Sequence, residues 1–144
     1  CRRTLLEFLI HFARNKAQLD ILVSWYDSKP DIDGVDLSQN DRWEILLKLH
    51  QSREFNSGEK RWRLEAELKR DTSDIGQLNE QKCKAALPDL EMKGKYWQEF
   101  LDSENKDSNY MLVAKMKGFS QSDTESFYEA FFENVMVVYK NMPR

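Results

Sequence analysis

The sequence predicts an all-α fold of stacked antiparallel helix pairs, about eight helices arranged as a HEAT- or armadillo-like superhelix. Three observations support this prediction. Apolar residues recur at intervals of three and four along most of the chain, and no segment alternates as a strand would. Only five Gly and three Pro occur in 144 residues, and the turns between the helical segments are short. A chain of this length buries one core, so residues 1–144 are expected to form a single helical domain.

The first two helices are predicted from two apolar runs separated by a tight turn. Asn15 is placed to cap the second helix. Leu5, Leu6, Leu9, Phe12 and Ala13 follow helical spacing in the first run, and Leu19, Leu22, Val23 and Tyr26 share one face in the second.

The third and fourth helices follow the one long connection, "DSKPDIDGVDLSQND". Ser38 and Asp41 resemble a capping box and open a helix that carries Trp43 and a leucine-rich face. "NSG" at positions 56–58 is expected to break this helix. In the next helix we expect Trp62, Leu64, Ala66 and Leu68 to face inward, and Lys60, Arg61, Arg63, Lys69 and Arg70 to be solvated.

The fifth and sixth helices are joined through Pro88. Thr72, Ser73 or Asp74 can cap the fifth helix, which should run to about Ala86. Pro88 should end that helix and lie in the first turn of the next one. The expected inner faces are Ile75, Leu78, Cys83, Ala86 and Leu87, then Leu90, Gly94, Trp97, Phe100 and Leu101, with Gly94 allowing close helix approach.

The residue pattern of the C-terminal segment predicts a short helix that ends at Gly118, followed by a last helix that begins at Ser122 or Asp123. The last helix carries two apolar stripes, and the first helix is similarly rich in apolar residues. Apolar surface on the first and last helices is expected to be covered by further helices. We therefore expect the domain to be a fragment of a longer helical domain.

Composition excludes several partner classes. The net charge of −3 and the pI of about 5.5 provide no basic field for a nucleic acid. No apolar run approaches the ~20 residues that cross a bilayer, so no membrane span is expected. Cys1 and Cys83 form neither a disulfide framework nor a zinc site, which fits a reducing compartment such as the cytoplasm.

The histidines and Cys83 are candidates for catalysis, but their context favours structural roles. His50 and Glu54 are spaced i, i+4 and could face a common metal, yet two ligands do not make a site. We therefore expect His50 to be a helix-end residue in a polar cluster, and His11 to be packed among apolar neighbours. Cys83 has no nearby histidine and is expected to be a buried apolar residue. No catalytic residue and no metal ligand is assigned.

The two remaining polar features are an acidic series and an arginine. The Asp31, Asp33, Asp36 series lacks the bidentate Glu of a calcium loop, since Arg42 occupies that position. Arg42 itself opens a helix, where the dipole disfavours a cation, so a partner is expected. That partner is either a carboxylate such as Asp41 or Asp36 or an anionic substrate group, and Arg42 is the one candidate substrate-binding residue.

Three segments together resemble the C-terminal helical, endoplasmic-reticulum-aminopeptidase-like domain of zinc aminopeptidases of the aminopeptidase N family. They are "DRWEILLKLH", "EAELKRDTSDIGQLNEQKCKAALPDLEMKGKYW" and "GFSQSDTESFYEAFFENV". Within them the resemblance rests on Arg42-Trp43, on Ala85 to Pro88 with Lys93 and Trp97 beyond, and on Gly118-Phe119. It covers about residues 38–140 in consistent order.

The resemblance implies that the chain is the distal part of a superhelix that closes the active-site chamber. Such a domain limits access and contacts peptide substrates, while a separate catalytic domain of the same chain binds zinc and removes N-terminal residues. The fragment alone is then expected to bind no cofactor and to be inactive. The alternative from another class is a HEAT-like adaptor whose concave face binds a protein partner.

Overall fold

The computed structural model describes residues 2–28, 34–102 and 104–121, together with positions 128, 129, 132, 135 and 140. The described residues confirm the all-α fold, since they contain seven helices and no strand. The helices are α1 Arg2–Phe12, α2 Lys16–Asp27, α3 Gln39–Gln51, α4 Ser57–Arg70, α5 Asp74–Ala85, α6 Leu90–Leu101 and α7 Asn109–Phe119. Most of the predicted eighth helix, from Ser122 or Asp123 onward, lies outside the described residues.

Polar caps set the start of six of these helices. Ser38 and Asp41 form the expected capping box, and the expected cap Asn15 also forms one, with Gln18 as its reciprocal partner. Of the three candidates for α5, Ser73 is the cap, and its side chain accepts from the amide of Gly76. Asp89 and Ser108 cap α6 and α7 in the same manner.

α3 is central to the first half of the structure and α5 to the second. α1 and α2 both pack on α3, α3 packs on α4 and α5, and α5 packs closely on α7, with α6 beside them. The larger core lies among α1 to α5 and includes Leu6, Leu22, Leu46 and Cys83. A smaller core of Ala85, Tyr96 and Phe119 lies among α5, α6 and α7. α5 therefore contributes to both cores.

Glycine matters most at Gly118, in the last turn of α7. A Cβ atom placed there would lie 2.0 Å from the carbonyl oxygen of Lys82 on α5, so the two backbones are nearly in contact. Gly94 does not have the expected role, because a Cβ atom there would meet no atom within 4 Å. Close helix approach occurs at α5–α7 and not along α6.

The faces of α4 differ from the prediction in two respects. Asn56 does not break α3, which already ends at Gln51, but caps α4, so residues 57 and 58 are its first turn. Lys60 and Arg63 are buried, whereas Trp62 is half exposed. The expectation that both basic side chains are solvated was wrong, because each has oxygen partners inside the stack.

The inner faces of α5 and α6 were also partly wrong. Ile75 and Leu90 are 67% and 62% exposed, whereas Lys93 and Tyr96 are buried. Because Asp89 caps α6, Pro88 lies just before the cap and not in the first turn. Cys83 and Ala86 are buried as expected.

Candidate functional site

The region around Arg42 lies where α2, α3 and α4 meet. The capping box at Ser38 places Arg42 four residues into the helix, with its side chain directed across to α4. Its Nε donates to Glu67 Oε2 at 2.8 Å, and its Nη1 donates to the carbonyl oxygen of Tyr26 at 3.3 Å. The guanidinium carbon also lies 4.2 Å from the centre of the Tyr26 ring. Arg42 thus has a carboxylate partner, but that partner is Glu67 and neither Asp41 nor Asp36.

Glu67 is the centre of this cluster. Its side chain is 1% exposed and accepts from the Tyr26 hydroxyl at 2.8 Å as well as from Arg42. Burial and the neighbouring Glu67 carboxylate raise the pKa of Tyr26. The hydroxyl therefore stays protonated and acts as a donor, which leaves the Glu67 charge matched by one cation and one neutral donor.

Two further polar contacts continue the cluster along the same helices. Arg63 holds the Asp27 carboxylate with Nε and Nη2, at 3.0 and 2.8 Å. Trp43 donates from Nε1 to Asp71 at 2.8 Å, and the hydrogen bond from Ser73 is the main reason that the pKa of Asp71 is lowered. The arrangement ties α2, α3, α4 and the start of α5 together.

The chemistry of the Arg42 cluster is that of a closed ion-pair network. It contains no nucleophile activated by a neighbouring base, and the Arg42 side chain is only 14% exposed. Nε and Nη1 are already used within the protein. The cluster can hold α2, α3 and α4 rigidly together and present one edge of the Arg42 guanidinium. The described contacts give it no means of general acid–base catalysis.

Three buried lysines form a second feature, and each ties down the carbonyl oxygens at a helix end. Lys48 donates to the carbonyl oxygens of His11 and Ala13, at the end of α1. Lys60 donates to those of Ser52 and His50, at the end of α3. A helix C-terminus carries a partial negative charge, so an ammonium is the favoured partner there.

Lys93 shows the arrangement in its most buried form. It is 1% exposed, and its Nζ lies 2.5 Å from the carbonyl oxygen of Ala85 and 2.9 Å from that of Phe119. These are the ends of α5 and α7, so one ammonium joins two helix C-termini to α6. Burial lowers the pKa of Lys60 and of Lys93 to about 8 each.

Sequence reasoning missed these lysines because charge was taken to mean exposure. A usable signal was present, since Arg42, Lys60 and Lys93 each stand four residues after the helix cap. That position usually carries an apolar residue that packs on the residue before the cap. Here the residues before the caps are Leu37, Phe55 and Pro88, and long basic side chains lie across the interior in place of apolar ones.

The histidines do not form a metal pair. His50 is 2% exposed, and its Nδ1 lies 2.7 Å from the carbonyl oxygen of Leu46. Burial lowers the pKa of His50 to about 4, so the ring is neutral at pH 7. Glu54 lies beyond the end of α3 and is exposed, so the i, i+4 pairing is not made. His11 is exposed and stands edge-on to Phe12, which corrects the expectation that it is packed.

Neither cation binding nor membrane insertion finds support in the described part of the chain. No group of three or more His, Cys, Asp or Glu side chains is placed there to hold a metal ion, so the residues present do not fit a zinc site. Asp31 and Asp33 lie outside the described residues. Cys83 is buried, and burial raises the pKa of its thiol. Among the described helices, none has the length and apolar character needed to cross a bilayer.

Comparison with known proteins gives one informative similarity. The chain is 27% identical over 130 residues to aminopeptidase N of Streptomyces lividans. The matched region covers 90% of this chain, and the chain spans about 15% of the length of that relative. No protein-family model matches the chain. The similarity points to a peptidase-related helical region, and it names the same family as the resemblance seen in the sequence.

Proposed function

We propose that this chain is the distal part of the C-terminal helical domain of a zinc aminopeptidase that removes N-terminal residues from peptides. The observation that carries the proposal is the similarity to aminopeptidase N along 90% of the chain. The all-α architecture supports it, because the expected domain consists of stacked helices. Zinc and the chemistry of hydrolysis belong to another part of the polypeptide.

The contribution proposed for this region is to close the substrate chamber and to select peptides by size. A wall that does this must keep its shape while substrate enters and leaves. The Arg42–Glu67 pair and the buried lysines supply such rigidity, because they join successive helices through charged hydrogen bonds inside the stack. Rigidity is also what a binding adaptor needs, and the similarity to aminopeptidase N favours the peptidase.

Arg42 remains the candidate contact for the distal carboxylate of a peptide. Its partners in this structure are Glu67 and Tyr26, so such a contact would use the remaining edge of the guanidinium. In the full-length polypeptide, Arg42→Lys should reduce the preference for peptides with a free C-terminal carboxylate over the same peptides as amides. An unchanged preference would show that Arg42 serves the helix packing alone.

The experiment that tests the proposed function compares peptide ladders. The full-length polypeptide is assayed with peptides of increasing length that share one N-terminal residue, and residue release is followed by mass spectrometry. A variant that lacks residues 2–121 should lose the dependence of rate on peptide length if the region closes a chamber. An unchanged length dependence would reject the chamber role, and binding of a protein partner would favour the adaptor.

A further inference from the structure

Lys60 and Lys93 occupy equivalent positions in two successive helix pairs, α3–α4 and α5–α6. Each lysine stands four residues after the cap of the second helix of its pair. Each also donates to a carbonyl oxygen eight residues earlier, at the end of the first helix. These bonds run from Lys60 to Ser52 at 2.6 Å and from Lys93 to Ala85 at 2.5 Å. We call this repeated arrangement a lysine clasp.

The first helix pair is held in a different way. Leu19 occupies the position four residues after the cap of α2, and it is a buried apolar residue. The end of α1 is held instead by Lys48 of α3, whose acceptors lie 37 and 35 residues away along the chain. Within the described helices, the lysine clasp is therefore a local device of α3–α4 and α5–α6.

The hydrogen-bond geometry of both clasps matches a neutral amine. Each lysine has two described acceptors, because Lys60 also donates to the carbonyl oxygen of His50 at 3.2 Å and Lys93 to that of Phe119 at 2.9 Å. Lys60 is 5% exposed and Lys93 is 1% exposed. A neutral amine has two N–H groups for these two oxygens, whereas an ammonium ion has three. Among the described residues, no carboxylate forms an ion pair with either lysine.

Few charged groups surround the two amines. His50 from α3 and Glu59 from α4 face Lys60, and His50 is neutral at pH 7 because its pKa is about 4. On the α7 side of Lys93, the Tyr128 hydroxyl donates to the same carbonyl oxygen that Lys93 contacts, at 2.7 Å. No charged group of α5 or α7 in the described region shifts the pKa of Lys93, which burial lowers. Burial thus outweighs the attraction between an ammonium ion and the helix ends.

We propose that the two lysine clasps are proton-linked joints, each of which closes its helix pair more firmly as a neutral amine than as an ammonium ion. Closing a joint releases one proton from the lysine to solvent, and opening it lets the hydrated amine regain that proton. The pKa of each lysine is about 8 in the closed form, below the ordinary value of 10.5. The open form therefore binds the proton more readily, and closing strengthens as pH rises from about 8 toward 10.5. The inference goes beyond the proposed function and does not depend on it.

A nuclear magnetic resonance titration of the unsubstituted protein tests the protonation directly. Lysine is labelled with carbon-13, and the Cε chemical shift of each residue is followed from about pH 6 to about pH 10.5. Lys60 and Lys93 should titrate near pH 8 in the folded protein and near 10.5 in urea-unfolded protein. Titration of both lysines at the unfolded value in the folded protein would overturn the inference.

Hydrogen exchange tests whether the proton controls the joints. After correction for the intrinsic exchange rate at each pH, protection in the first two turns of α6 should rise about tenfold between pH 7 and pH 9. Lys93→Met should abolish this rise in α6 and leave the rise in the first turns of α4, and Lys60→Met should do the reverse. Lys95→Met, the matched control on the exposed side of α6, should keep both.

Two results of the exchange experiment would contradict the proton-linked joints. One is equal protection at the two pH values in the unsubstituted protein, and the other is a tenfold rise in α6 that persists in Lys93→Met. If a substituted chain does not fold, the titration of the unsubstituted protein decides the question. Neither measurement uses peptide hydrolysis, so its outcome is separate from that of an aminopeptidase assay.

Discussion

Gly118 on α7 and Lys82 on α5 bring their backbones closer than any side chain at position 118 would allow. A Cβ atom at position 118 would lie 2.0 Å from the Lys82 carbonyl oxygen and 2.8 Å from its carbonyl carbon. Those are backbone atoms of a helix and cannot yield as a flexible side chain could. The contact fixes the separation of α5 and α7, and with it the shape of the second core.

Gly118→Ala should therefore destabilise the protein, by about 2–3 kcal/mol, because α5 and α7 must move apart to admit one methyl group. Gly94→Ala is the control, since its Cβ would meet open space and alanine is the better helix former. It should stabilise by about 0.5–1 kcal/mol. Urea denaturation of both variants measures the difference. Equal effects of the two substitutions would contradict the close contact at Gly118.

Lys93→Met should cost about 2–3 kcal/mol. The substitution removes charged hydrogen bonds to Ala85 and Phe119 and leaves the Ala85 carbonyl oxygen buried without that donor. Lys95→Met is the control, since Lys95 forms an exposed pair with Glu91 and should change stability by no more than about 0.5 kcal/mol. Denaturant midpoints compare the two. A Lys93→Met variant as stable as the parent would show that the ammonium contributes nothing beyond packing of its alkyl chain.

Arg42→Met should cost about 3 kcal/mol, because it leaves the Glu67 carboxylate buried with only the Tyr26 hydroxyl as a described side-chain donor. Adding Glu67→Gln should recover part of that loss, since the second change removes the uncompensated charge. A double-mutant cycle on urea unfolding gives the coupling energy. Strictly additive effects would show that Arg42 and Glu67 do not stabilise one another.

The low pKa of His50 makes stability depend on pH. The folded form has a pKa of about 4, below the ordinary value of 6.5, so the unfolded chain binds the proton more readily. Stability should thus fall as pH decreases through that window, by about 2 kcal/mol between pH 7 and pH 5 from this group. His50→Gln should show a flatter profile over the same range. Profiles of equal slope would place a solvated histidine at position 50.

Local sequence signals predicted the helices and their caps well. Asn15, Ser38 and Ser73 cap the helices they were expected to cap, because capping depends on residues close in sequence. Side-chain partners were less predictable. Arg42 was expected to need a partner, either a nearby carboxylate such as Asp41 or Asp36 or an anionic substrate group. Its carboxylate partner, Glu67, lies 25 residues away on another helix, and nothing local singles it out.

The burial of Lys60 and Lys93 was marked in the sequence only by their position four residues after a helix cap, and the acceptors of their ammonium groups were not predictable. A lysine is buried at low cost only where helix ends converge on its ammonium, and that convergence is a property of the packed structure. Lys93 is the clearest case, because its two acceptors belong to α5 and α7. The error at Ile75 and Leu90 has the same cause, since local sequence does not show tertiary packing. An apolar stripe shows that a helix is amphipathic, but it does not show whether a neighbouring helix covers each position.

The most direct test of the central proposal is release of N-terminal residues by the full-length polypeptide. Purified protein is incubated with unblocked and N-acetylated versions of one peptide, with and without a zinc chelator, and products are identified by mass spectrometry. The account predicts stepwise loss of N-terminal residues from the unblocked peptide alone, abolished by the chelator and restored by zinc. Absence of cleavage in zinc-loaded protein, or cleavage within the acetylated peptide, would contradict it.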